Sequence, residues 1–391
     1  MERKLASIQK VSKLFPIPGA DFIEGALVLG WEFVVKKGEF KVGDLGVFFE
    51  VDSILPKDKP EFAFLEKVKW RIKTVKFKKQ ISQGLMIPIS AITYVDLSTF
   101  KEGADVTEIL GVEKHDPEFA QSNGGVKLGG KPKGNFPAFI NKTDEVRIQS
   151  MPSILETYKG KDFVATEKLD GTSFTAFLKT VIPGESFLHT YYKRFGYGKF
   201  ARRLYPYLRF FFTFLAKFFT KKRFGICSRN LELKEEIGPE AFINAYWKLA
   251  RKINLEDKMR KLSNEYKLMG NDIDLCIQGE MIGPGIQENK YKLKEHELYI
   301  FNVFNIKTQK YFSHNQLVEV SEKLGIKNCP VVYSFQLSHS ISDLVSLSKA
   351  KSLLNKNTLR EGIVCRILNE EDNKRVSFKV VDPDFLLKYD K

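Results

Sequence analysis

The chain has 391 residues, and its 63 Lys+Arg against 48 Asp+Glu leave a formal net charge of +15, a balance that favours a polyanionic partner such as nucleic acid or an anionic membrane surface. That length holds two domains or three, with full cores. Cys227, Cys276, Cys329 and Cys365 are scattered without a C-x-x-C pair, and the five histidines are dispersed, which argues against a structural zinc site and for a reducing compartment. No apolar segment follows Met1, and no charge-free stretch reaches membrane-spanning length, so the expectation is a soluble, cytoplasmic protein.

Residues 1–110 are short apolar runs broken by turn signals, such as Gly25–Val35, Gly43–Val51 and Trp70–Phe77. That spacing predicts a small β-barrel or sandwich. The run at 70–78 sets Arg71, Lys73, Lys76 and Lys78 among Trp70 and Phe77, which suits either a nucleic-acid backbone surface or an ordinary solvated strand. Residues 111–137 are rich in Gly, Pro and Lys and read as a linker. From 138 to 391 strands are predicted at 163–168, 174–179, 275–281, 298–304, 363–367 and 376–381. One helix is predicted to open at Pro239 and carry Tyr246 and Leu249, and another to begin near Asp343 and carry Leu344, Leu347, Lys351 and Leu354. The class is α+β. Within this region, 190–224 is packed with aromatics and cations, and a helix from Pro206 would place Arg209, Thr213, Lys217 and Lys221 on one narrow polar face. Such a helix can lie on an anionic membrane, dock a partner, or pack on its own domain.

Chemistry enters at Glu167-Lys168-Leu-Asp170-Gly171-Thr. A lysine amine becomes a nucleophile when burial or neighbouring cations lower its pKa, and here an apolar strand leads into Lys168 while Asp170-Gly171 forms a turn. The alternative for this short pattern alone is a surface lysine beside a turn. Further along come Arg229 after an apolar strand, fit to grip phosphate, Glu280 at a strand end, the strand aromatic Phe301, Glu361 before a buried strand, and Lys379 within the last one.

In this order the motifs resemble the covalent nucleotidyltransferases, the superfamily of polynucleotide ligases and mRNA capping enzymes. Lys168-Leu-Asp-Gly171 matches the nucleophile motif, Tyr299-Ile-Phe301 the third motif, Glu361-Gly-Ile-Val364 the fourth, and Ser377-Phe-Lys379-Val-Val381 is similar to the fifth. Cys227-Ser-Arg-Asn230, Gln278-Gly-Glu280 with Gly283-Pro-Gly-Ile-Gln287, and Ile81-Ser-Gln-Gly84-Leu resemble ATP-dependent RNA ligases that carry an OB domain first. Only twelve residues follow Lys379, in keeping with that arrangement. Two features depart from the family: Ser377 stands where a lysine is common, and 190–224 is an insertion.

The resemblance implies an N-terminal OB-like barrel (1–110), a linker (111–137) and an ATP-grasp-like nucleotidyltransferase domain of antiparallel sheets and helices (138–391). It implies sealing of RNA 3′-OH and 5′-phosphate ends or nicks through lysyl-AMP, in RNA repair, with ATP and Mg²⁺ or Mn²⁺. Lys168, Glu361 and Lys379 would be catalytic. Glu167, Asp170, Gly171, Arg229, Glu280, Phe301 and Lys379 would bind nucleotide, and Glu361 and Glu280 would hold metal. Arg71, Lys73, Lys76, Lys78, Ser173 and Arg229 would meet RNA or a nicked RNA-containing duplex. The protein would act as a monomer, with membrane or protein docking through 204–222 as an added possibility. Loss of residues 1–110 would then impair nick sealing more than lysine adenylylation. The rivals are a GTP-using capping-type transferase and a non-catalytic RNA-binding or membrane-docked protein on a ligase-like core.

Overall fold

A computed structural model describes residues 3–115, 130–181, 206–207, 221–236, 244–369 and 375–390. The chain forms two compact units. One is drawn from 1–125, 144–169 and 330–391, and the other from 126–143 and 170–329.

The first unit begins with an all-β module. Ala6–Lys10, Leu45–Phe49 and Leu85–Pro88 form one sheet, Lys13–Pro16, Ile23–Val28 and Trp31–Lys36 a second, and Thr74–Phe77 pairs with Gln80–Gln83. Alternation decides which side chains turn inward: along Trp31–Lys36, Trp31, Phe33 and Val35 are buried between exposed or half-buried neighbours. They pack with Phe48 and Met86, while Ile8, Val47, Phe49 and Phe62 form a neighbouring cluster. The run at 70–78 is not one strand. A 3₁₀ segment, Pro60–Val68, ends in left-handed Lys69 and Trp70, Arg71 then makes an isolated antiparallel bridge with Ile54, and the strand itself starts at Thr74.

The same unit contains a four-stranded antiparallel sheet in the order Val331–Gln336, Asp162–Lys168, Gly362–Ile367, Ser377–Val381. Its inner face, Phe163, Ala165, Ile363, Cys365, Phe378 and Val380, packs on Ile148, Leu337 and Leu344. The helix here is Ile341–Ser348, set by a capping box between Ser340 and Asp343. It starts earlier than predicted, because the box satisfies the first-turn amides at Ser340, and it stops before Lys351 and Leu354.

The second unit is built on one large sheet that runs Pro132–Asn135, Leu231–Leu233, Lys221–Cys227, Thr172–Val181, Leu275–Ile282, Glu297–Asn305, Lys310–Tyr311. One face, with Phe174, Ala176, Leu178, Ile277, Leu298 and Ile300, buries against the helices Ala245–Lys252, Leu255–Leu268 and His314–Leu324. The first of these helices starts at Ala245 because the Asn244 side chain accepts from Trp247 N. The predicted opening at Pro239 falls outside the described residues. Most of the predicted amphipathic helix also falls outside them, but Lys221 does not: it opens the Lys221–Cys227 strand, paired through Val181, so it is not the last residue of a helical face. Pro132–Asn135, within the expected linker, is an edge strand.

Gly362 lies directly opposite Lys168, and a Cβ there would meet Val380 O at 2.2 Å. Gly362→Ala is expected to lower the unfolding free energy by about 1–3 kcal/mol in urea titration, since only backbone stands in the way.

Candidate active site

Lys168 is the last residue of its strand. Its Nζ donates to Glu361 Oε1 at 2.6 Å. The pairing Lys168–Gly362 places Glu361 at the adjoining end of the neighbouring strand. The other carboxylate oxygen, Oε2, is buried and has no partner among the described residues. The next row across the sheet is Thr166–Val364–Lys379. Side chains two apart share a face, so Lys168 and Lys379 both project from the face opposite the apolar core. Removal from water, followed by the charges of Arg147 and Lys168, pulls the Lys379 amine down to about 7.

Two groups around Lys379 have no signal in the sequence. Val146 O accepts from Lys379 N at 2.8 Å, and Arg147 forms a parallel bridge with Lys379. Glu145 takes Arg375 at 3.1 Å, Arg366 at 3.4 Å and the Ser377 hydroxyl. Burial would raise its pKa, but Arg366 and Arg375 hold it low. The position where the family commonly has lysine is therefore a hydroxyl donating to a carboxylate that already carries two guanidinium groups. Glu167, one residue before the lysine, faces the other way: it is buried, its Oε2 accepts from Leu353 N at 2.8 Å, and burial raises its pKa.

In the second unit, Asp170 and Gly171 lead into the Thr172–Val181 strand. Lys290 Nζ donates to Asp170 Oδ2 at 2.6 Å and Asp170 N donates to Tyr291 Oη at 2.7 Å. Lys290 and Tyr291 were not anticipated; they follow Gln287, Glu288 and Asn289, three consecutive residues with positive φ. A Cβ on Gly171 would meet Met281 O at 2.6 Å, so only glycine lets the turn approach the Glu280 strand this closely. Ser173, Glu280 and Tyr299 form one cross-strand row, and Thr175 and Gln278 continue to Asn302 in the next. Phe301 sits between them as the extra residue of a bulge. That bulge keeps Tyr299 and Asn302 on the face of Glu280 although an odd and an even number alternate. Arg229 is half-buried in the turn where Ser228 N donates to Leu231 O.

The proposed RNA-contacting residues divide. Lys76 and Lys78 are exposed beside Phe77, which is 45% exposed, and Lys73 is half-buried. Arg71 is instead turned inward, with Nη2 on Asp52 at 3.0 Å and Nη1 on Asp390 at 2.8 Å.

Among the described residues no three His, Cys, Asp or Glu side chains converge as a preformed metal cage. The donor set still fits Mg²⁺ or Mn²⁺. Hard cations of this kind are commonly held by one carboxylate together with substrate phosphates, and the orphaned buried Glu361 Oε2 is such a carboxylate oxygen.

The depressed Lys379 has a thermodynamic signature. Between about pH 7, its folded value, and about 10.4, its unfolded value, the unfolded chain binds one more proton, so this group's contribution to stability rises with pH. The stability of Lys379→Met relative to wild type is expected to be greatest below pH 7 and to shrink as pH rises toward 9, measured by urea unfolding.

An OB-fold domain family model matches residues 5–89, and an RNA ligase family model matches residues 161–381. No curated protein matches the chain. Solved structures of Naegleria gruberi RNA ligase are similar from end to end. The form with pyrophosphate is 31% identical, with 100% of this chain and 99% of that chain covered and a TM-score of 0.78. A lysine-to-alanine variant with ATP and manganese gives 31%, 99%, 99% and 0.78, as does a glutamate-to-alanine variant with AMP and manganese. The β-module followed by a sheet-rich catalytic region is thus an OB fold ahead of a ligase fold, and the chain belongs to the RNA ligase family.

Proposed function

We propose that this chain is an ATP-dependent RNA ligase that seals 3′-OH/5′-phosphate RNA ends or nicks through lysyl-AMP and an adenylylated 5′ end, in the service of RNA repair. The observation that carries the reading is the Lys168 amine 2.6 Å from Glu361, with Lys379 on the same sheet face. Lys168, once neutral, attacks the α-phosphorus of ATP in line; a P–N bond forms, the bond to the bridging oxygen breaks, and pyrophosphate leaves. Lys379 offsets charge on the phosphates as they approach. A 5′-phosphate oxygen then displaces the lysine from the adenylyl phosphorus. Finally a 3′-OH attacks the 5′-phosphorus and AMP departs.

Glu361 is the residue we assign to a divalent ion, which supplies charge neutralisation at the phosphates when bound. Glu280 is assigned to the ribose hydroxyls or to metal, Phe301 to stacking on adenine, the Glu167 backbone to the adenine edge, and Arg229 to the reactive phosphate or the 3′-OH strand. Asp170, held by Lys290 and Tyr291, sets the turn and is not an acid–base group. Ser173 helps place the strand ends. Lys73, Lys76 and Lys78 with Phe77 are assigned to the RNA backbone. All four cysteines are buried, which supports a reducing, cytoplasmic setting, and no helix among the described residues is long and apolar enough to cross a membrane. The reading takes the protein to work as a monomer.

Incubation with labelled ATP and Mg²⁺ is expected to give a covalent adduct in wild type and none in Lys168→Ala, while that variant still joins a nick whose 5′ end is already adenylylated. An adduct formed with GTP and not ATP would overturn the ligase reading. Lys76→Ala with Lys78→Ala is expected to weaken binding to nicked duplex uniformly across sequences. The slope of log affinity against log salt should fall by about 1 for each phosphate that is no longer neutralised, measured by titration at several ionic strengths.

A further inference from the structure

The second unit's large sheet has two ends. Near one of them Ser173, Glu280 and Tyr299 form the row that the proposed chemistry uses. Five residues further along the same two central strands Leu178 pairs with Leu275. Beyond that pair lie Val181, Lys221 and the connections 269–274 and 306–309, and no step of the chemistry calls on them.

The helix Leu255–Leu268 stops at this second end in a Schellman turn. Asn271 N donates to Tyr266 O at 2.8 Å and Gly270 N to Lys267 O at 3.0 Å, with Gly270 at a φ of +84°. The closed turn fixes the backbone of Leu268 and Met269, whose side chains are 89% and 68% exposed. A lone exposed apolar side chain is ordinary on a protein surface. Here two are adjacent, on backbone that is tied off, in cationic surroundings. Lys221, Lys267, Lys307 and Lys310 are exposed at the same end, and Lys222 is half-buried there. The acids of these connections, Asp272 and Asp274, are already engaged. Lys222 Nζ lies 3.3 Å from Asp272 and 3.8 Å from Asp274, Lys307 also pairs with Asp272, and Thr180 Oγ1 donates to Asp274 at 2.6 Å. Five lysines against two aspartates leave this end positive.

Val181 and Lys221 pair directly, so the chain between them leaves and returns at this end. Its sequence, 182–220, holds fourteen aromatic residues and seven Lys or Arg against one acid, Glu185. Tyr207, an aromatic of that stretch, is 74% exposed. Nucleic acid would account for the cations, but single strands are held by stacking on aromatic rings, and the fixed tip is aliphatic. A bilayer with anionic headgroups suits both features, because it attracts the lysines and takes apolar side chains just below the headgroups.

We propose that this end of the large sheet, which carries Leu268, Met269, Lys221, Lys267 and Lys310, is a docking surface for an anionic phospholipid bilayer. Attachment is peripheral and reversible. The row of Ser173, Glu280 and Tyr299 stands toward the opposite end of the sheet, away from the lipid. The inference does not depend on the ligase reading.

The test is sedimentation of the full-length protein with phosphatidylcholine vesicles that contain phosphatidylserine, against vesicles of phosphatidylcholine alone, at several salt concentrations. Wild type is expected to bind the anionic vesicles, more weakly as salt rises, and the neutral ones far less. Leu268→Ser with Met269→Ser is expected to lower affinity for the anionic vesicles on the order of tenfold. Lys267→Glu with Lys310→Glu is expected to lower it by at least as much. Lysine adenylylation and affinity for nicked duplex should stay at the wild-type level in both variants, which shows that they fold. No vesicle binding by wild type, equal binding to the two vesicle types, or wild-type binding by the Leu268 and Met269 variant overturns the proposal. A lysine variant that loses duplex affinity as much as vesicle affinity marks the surface as an RNA contact and overturns it too.

Discussion

Six consecutive backbone pairings, Phe163–Ile367 through Lys168–Gly362, determine what the first unit can do. A strand has two faces and a repeat of two, so a slip of one residue would send Lys168 into the apolar core and bring Glu167 out. The register is held from the inner side, where Phe163, Ala165, Ile363 and Cys365 interlock with Phe378 and Val380. Apolar packing on one face thus aims the charged groups on the other. Gly362 completes the arrangement by letting the edge strand approach without a side chain between.

The strands were legible because they are rich in β-branched and aromatic residues and bounded by turns; observed limits such as Asp162–Lys168 and Leu275–Ile282 lie within a residue or two of those read from the chain. The family motif at Lys168 was legible because a lysine, a spacer and Asp-Gly are contiguous. What failed was local punctuation and long-range pairing. Ser340 and Asp343 stand at the spacing of a capping box and were overlooked in favour of apolar periodicity. The bulge at Phe301 also left a trace, since buried Leu298, Ile300 and Val303 step by two and then by three. Arg147 left none. Nothing near it in sequence distinguishes it from a surface arginine, and its partner Asp52 is 95 residues away.

Charge in this protein is used in two different ways. The exposed lysines near Phe77 sit in water, where their field is screened by salt. The buried set around Asp52 and Glu145 is hardly screened. Each carboxylate there is surrounded by two or three guanidinium groups, so the surplus positive charge is anchored to particular atoms of the sheet edge. An overall charge of +15 conceals this division, which only the placement of each group reveals.

The first unit is assembled from segments far apart in the chain: 1–125, 144–169 and 330–391. During synthesis, therefore, Lys168 emerges long before its sheet can close. Glu361 follows it by 193 residues, and the strand Ser377–Val381 comes later still, whereas the second unit's residues are complete once 329 has left the ribosome. Folding of the second unit can run ahead, but Lys168 has neither Glu361 nor Lys379 beside it until those late segments are made. A nascent chain, or one clipped before Val381, consequently lacks part of the four-stranded sheet, and a closed sheet reports that the chain has been made and folded through its last strand.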